Sequence, residues 1–102
     1  MNTYDAEVIA AALLKRSCCP LGAAMLGDGV PPVIVTDTSP FLRRNPSPTL
    51  AASTLGIDVR RADEIVGMWD DEDYGGHRRN AILEADRAGL TPKIRALIAR
   101  ST

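Results

Sequence analysis

Aromatic side chains are scarce in this chain: Tyr4, Phe41, Trp69 and Tyr74 are all that its 102 residues hold. A core cannot be built around stacked rings and must come from Ala, Leu, Ile and Val. Alanine-rich helices suit this, because a methyl side chain lets backbones pack closely. Histidine occurs once, at His77, and cysteine twice, at the adjacent positions Cys18 and Cys19. Neighbouring cysteines rarely bond to each other, because the small ring is strained, so two reduced thiols are expected. Lysine is also rare: ten of the twelve basic residues are arginine. No basic stretch leads into an apolar run at the N-terminus; Asp5 and Glu7 precede Val8 to Leu14, which is too short to span a bilayer. The expectation is a cytoplasmic chain with no membrane contact.

What is present is an ordinary globular balance, 45% apolar and 25% charged, with a formal charge of −1. Such a length supports a single domain, residues 1–102, with one core. A neutral total gives no bulk attraction for polyanions, although six arginines come as doublets, Arg43-Arg44, Arg60-Arg61 and Arg78-Arg79.

Helix signals recur along the chain and predict a mainly α fold, a compact bundle of about five short helices with one extended Pro-rich segment. Thr3 is read as the cap of a helix to about Arg16, with Ala6, Ile9, Ala10, Leu13 and Leu14 on its apolar stripe. Pro20 opens a short helix, Leu21 to Leu26, which Gly27-Asp28-Gly29 ends. Val30 to Asp37 is the one strand-like stretch, read as an extended segment on the core in preference to an edge that pairs with another molecule. A Ser or Thr cap followed by Pro recurs three times: Ser39-Pro40 starts a single turn, Ser47-Pro48 a helix to Leu55 closed by Gly56, and Thr91-Pro92 the last helix, with Ile94, Leu97 and Ile98 facing inward. Asp58 caps a helix from Val59 to Asp70 whose inner side is Ala62, Ile65, Val66 and Trp69, with Ile57 stapled onto Ala62. Trp69 continues that stripe and is therefore expected in the core. His77 to Ala88 forms one more helix, ended by Gly89.

The motifs that carry chemistry are mostly incomplete. An EF-hand loop begun at Asp71 places Gly76 correctly but Ile82 where a bidentate Glu is required; begun at Asp70 it ends on Ala81. Cys18, Cys19 and His77 lack the paired spacing and the fourth ligand of a zinc site. A cysteine nucleophile served by His77 has no framing glycines, and no Gly-rich phosphate loop is present. The thiols are read as packing residues, and no cofactor or metal is expected.

Two resemblances remain. Leu50 to Asp58, followed by Val59 to Val66, resembles the helix-turn-helix of bacterial regulators. Ala52 stands four residues before the turn glycine Gly56, Asp58 caps the second helix, and Arg60 and Arg61 lie at its start. The resemblance implies DNA binding through Arg60 and Arg61. Asp63 and Glu64, one turn on, and Asp70 to Asp73 oppose it, since carboxylates facing phosphates cost affinity. More broadly, Cys19-Pro20-Leu21-Gly22-Ala23, Leu55-Gly56-Ile57 and Trp69-Asp70-Asp71 are similar to stretches of small phage and prophage proteins. Those carry Cys-x-Leu-Gly-Ala, a Leu-Gly-Ile or Leu-Gly-Leu hairpin and a Trp-Asn-Asp corner. This chain differs in having Asp70 in place of Asn and in its inserted Pro-rich segment. The similarity implies a mobile-element accessory protein that blocks a host system, such as a CRISPR complex. The leading expectation is a non-catalytic binding protein that meets a host protein or complex through Asp70, Asp71, Asp73 and Tyr74; the alternative is the DNA-binding regulator.

Overall fold

A computed structural model describes residues 1–31, 46–71 and 77–100. Among these residues the chain forms six helices and no strand: α1 (Thr3–Lys15), α2 (Pro20–Gly27), α3 (Pro48–Leu55), α4 (Val59–Asp70), α5 (His77–Arg87) and α6 (Thr91–Arg100). The strand-like stretch beyond Pro31 and the Ser39-Pro40 turn lie outside the described residues, as do Asp73 and Tyr74. No single helix among those described is long and apolar enough to cross a membrane.

Most ends follow from the caps that the sequence carries. The Ser47 hydroxyl accepts the Leu50 N–H at 3.1 Å, with Pro48 in the first turn of α3. Asp58 accepts the N–H groups of Arg60, at 2.8 Å, and Arg61, at 3.4 Å. Two caps differ from the sequence-based expectation. Asn2, one residue before Thr3, caps α1 by accepting the Asp5 N–H at 2.8 Å; its carboxamide reaches the third helical residue, and Thr3 is already helical. Thr91 likewise lies inside α6, whose first backbone acceptor is the Leu90 carbonyl. The Thr91 hydroxyl donates instead to the Asp86 carboxylate, which ties the last two helices together and holds that carboxyl below its ordinary range.

The helix α2 is longer than expected and takes a different role. Cys19 caps it, its sulfur accepting the Gly22 N–H at 3.3 Å, so this thiol is both a core residue and a cap. Every residue from Pro20 to Met25 is buried. The helix packs against α3, α4, α5 and α6 and is the centre around which the others gather. A helix that is apolar on all sides needs such a place. Gly27 is its last residue rather than a terminator beyond it. There α6 comes so close that a Cβ on Gly27 would stand 1.8 Å from the Lys93 carbonyl oxygen. The Lys93 ammonium to Asp28 at 3.0 Å and the Arg100 guanidinium to the Leu26 carbonyl at 2.8 Å hold α6 on the same end of α2.

All six helices feed one buried cluster, and nine of its members are alanines: Ala6, Ala10, Ala23, Ala24, Ala51, Ala52, Ala62, Ala81 and Ala85. The large side chains that fill it include Leu13, Leu21, Met25, Ile65, Ile82, Leu90 and Ile94. Trp69 belongs to this core, at 6% exposure.

Candidate recognition surfaces

The helix α3, the turn at Gly56 and α4 form the hairpin read from the sequence. Gly56 takes a left-handed backbone, φ 70°, that favours glycine, and the N–H groups of Gly56 and Ile57 both reach the Ala52 carbonyl. Ala51 and Ala52 are buried, which lets α3 lie close against its neighbours. The small residue, the turn glycine and the Asp58 cap therefore all have a purely structural use.

What α4 presents outward decides what the hairpin can meet. Val59, Arg60, Asp63, Glu64 and Gly67 are exposed, while Ala62, Ile65 and Trp69 face the core. The two arginines separate. Arg60 projects into solvent, whereas Arg61 turns toward α5, its Nε 3.5 Å from Glu84, which also holds Arg87 at 2.9 Å. Asp58, Arg60, Arg61, Glu64, Glu84 and Arg87 line an open groove of about 500 Å³ between the start of α4 and the end of α5. Its lining thus balances three arginines with three carboxylates.

At its other end α4 finishes in Asp70, with Asp71 as its C-terminal cap. Carboxylates are disfavoured there, because the carbonyl end of a helix is itself negative. Asp71 is brought to His77, Oδ2 to Nδ1 3.1 Å, at the first residue of α5. Arg78 lies over the Trp69 ring, 5.5 Å from its centroid. The structure thus assembles Asp70, Asp71, His77 and Arg78 around the buried Trp69. Of the residues expected to bind a partner, Asp70 and Asp71 share this corner, and Asp73 and Tyr74 fall outside the described residues.

The thiols sit apart from His77 in role as well as in sequence. Burial pushes the Cys18 thiol up to about 12, with the neighbouring Cys19 adding to it. Burial also pushes Cys19 up to about 11, partly offset by the Gly22 N–H, and the charge of Asp70 raises it further. Thiolate, the reactive form, is then scarce at neutral pH. Native protein is expected to react with iodoacetamide at neutral pH far more slowly than urea-unfolded protein. Linkage gives a second expectation. Unfolded thiols ionise near 9.0 and native ones only near 11 to 12, so the unfolded state holds fewer protons in between. The contribution is whole below pH 9 and is lost as pH rises toward 12. The urea midpoint should fall across that window, less steeply in Cys18→Ser. A native alkylation rate equal to the unfolded one would contradict the burial of Cys19 and the half-burial of Cys18.

Among the described residues, no three of His, Cys, Asp and Glu gather closely enough to hold a metal ion.

One surface was not read from the sequence. The outer side of α1 exposes Tyr4 at 72%, Val8 at 51% and Leu14 at 45%. Beside it, Val8, Ile9 and Ala12 of α1 face Ile98 and Ala99 of α6 across an open, mainly apolar groove of about 330 Å³, with Asp5 and Arg95 also in its lining. The inner stripe of α1 was evident by its spacing. The second apolar face could have been noticed as a shortage of charged residue types in Tyr4 to Leu14, where Asp5 and Glu7 are the only acidic or basic residues.

No protein-family profile matches the chain, and no curated protein or solved structure matches it.

Proposed function

We propose that this chain is a non-catalytic recognition domain that meets a basic protein partner through the acidic solvent side of α4 and the acidic residues at and after its end in sequence, Asp70, Asp71 and Asp73. The observation that carries this is the charge left on that side once Arg61 has turned to Glu84. Asp63 and Glu64 remain exposed beside a single outward arginine, Arg60, and the helix runs on into Asp70 and Asp71. Carboxylates at a helix C-terminus oppose its dipole, and Asp71 is partly offset there by His77. A cationic surface would gain from them and associate faster. The resemblance to phage and prophage proteins adds the kind of partner: a host protein or complex in the cytoplasm, inhibited by occupation of its surface.

The hairpin geometry favours a second reading, DNA binding with α4 in the major groove. Arg60 is placed for it at the start of the helix. Against it stand Asp63 and Glu64 on the same side, and an Arg61 already engaged by Glu84. Phosphate contacts supply much of DNA affinity, and this side offers one free-standing cation among carboxylates.

The two readings separate in a capture experiment from host extract with and without nuclease. A protein partner should survive nuclease. Reversing Asp71 and Asp73 to lysine should then slow its association about tenfold, with a weaker salt dependence and an unchanged circular dichroism spectrum. Replacing Arg60 and Arg61 with alanine should matter much less. Sequence-specific DNA binding at physiological salt that survives the Asp71 and Asp73 reversal, and is lost with the arginines, would overturn the proposal.

A further inference from the structure

The helix α1 is apolar on two sides. Ala6, Ile9, Ala10 and Leu13 are buried in the core. Tyr4, Val8 and Leu14 are exposed on the other side, and Ala11 between them is exposed as well. A surface helix ordinarily has one apolar stripe and a charged outer face. Its charges are sorted by end: Asp5 and Glu7 in the first half, Lys15 and then Arg16 at the finish. The α1 helix packs on α5, and Asp5, Val8 and Ala12 border the open groove that α1 shares with α6.

We infer that this outer side of α1 binds a second copy of the chain, with the two α1 helices antiparallel about a two-fold axis near Val8 and Ala11. The charge pattern selects that occupant and that direction. Residues 5, 8, 12 and 15 recur at the spacing of a helix–helix seam, Asp5 at one end, Val8 and Ala12 within, Lys15 at the other. Antiparallel pairing sets Asp5 of each copy against Lys15 of the other, twice by symmetry. Parallel pairing sets acid on acid and base on base. The small side chains of Ala11 and Ala12 allow the two helices to approach closely, so that Val8 and, at its flank, Tyr4 are covered, while Leu14 lies beyond Glu7 on another side of the helix. An isologous contact of this kind closes on itself and produces a dimer, not a filament. It uses a different helix from the recognition side of α4, so a dimer would display that side twice.

Sedimentation equilibrium over a range of concentrations tests this on the intact chain. The wild type should approach twice the 10.9 kDa mass of one chain. Val8→Glu places a charge at the centre of the seam without touching the core and should give the single-chain mass at all concentrations, with a native circular dichroism spectrum. Asp5→Lys and Lys15→Asp should each weaken the dimer at least tenfold. The two together restore opposite charges across the axis and should recover most of the affinity. Salt should weaken the wild-type dimer. A wild type that stays at the single-chain mass throughout would overturn the inference and leave this side of α1 to a different partner. A dimer unaffected by Val8→Glu would overturn it too, and so would a double variant as weak as the single ones.

Discussion

Gly27→Ala should cost about 3 kcal/mol, which for a chain of this size lowers the melting temperature by roughly 15 °C. The new methyl would lie 1.8 Å from the Lys93 carbonyl oxygen and 2.7 Å from its carbon. Both are backbone atoms and cannot swing aside. Relief requires α6 to retreat from α2 by more than an ångström, which opens the packing of the central helix. A stability of about 5 to 15 kcal/mol leaves little room for such a loss. The same substitution at Gly67 provides the contrast. That glycine lies inside α4, exposed, with nothing within 4 Å of a Cβ. Gly67→Ala should therefore stabilise by about 0.5 to 1 kcal/mol, because alanine loses less backbone freedom in a helix. Urea titrations of the two variants give the opposite signs directly. A Gly27→Ala variant as stable as the wild type would mean that α2 and α6 do not meet this way.

Removing the only tryptophan should be as damaging. Trp69 is buried on the inner side of α4, in line with Ala62 and Ile65. Trp69→Ala empties the largest side-chain volume in the core and should cost about 4 kcal/mol. Trp69→Phe keeps much of that volume and should cost about 1.5 kcal/mol. Arg78→Ala uncovers one face of the ring and should cost about 0.5 to 1 kcal/mol. Chemical unfolding followed by circular dichroism measures all three; in wild type, the Trp69 emission should move to longer wavelength as the ring meets water. If Trp69 were instead a contact for a partner, Trp69→Ala would leave stability intact and abolish binding. That outcome would remove Trp69 from the core and reopen the whole corner.

How far the sequence carried can be judged at particular residues. The caps Ser47 and Asp58, the turn at Gly56 and the inner stripe of α4 were legible because each depends on neighbours within one or two turns. Asn2 was legible in principle too, since Asn ranks with the best capping residues; the choice between Asn2 and Thr3 rests on which side chain reaches a free N–H. Thr91 was misread as a cap because it already stands inside the helix, whose first carbonyl acceptor is Leu90, and its hydroxyl donates to Asp86 of the preceding helix. Cys19 was recognised as a packing residue, but its sulfur also serves as a cap.

Local spacing by itself therefore determined that this chain is helical, where most of its helices begin and end, and which side of each turns inward. It did so because helical periodicity and capping act over a few residues. The tertiary structure alone decided that α2 is the centre of the bundle, that Gly27 is needed for a close approach and not for a turn, and that Arg60 and Arg61 part company. Only the tertiary structure left a second apolar side of α1 uncovered. Each of these depends on which helix lies next to which, a relation between residues far apart in the chain: Gly27 with Lys93, Arg61 with Glu84, α1 with α5.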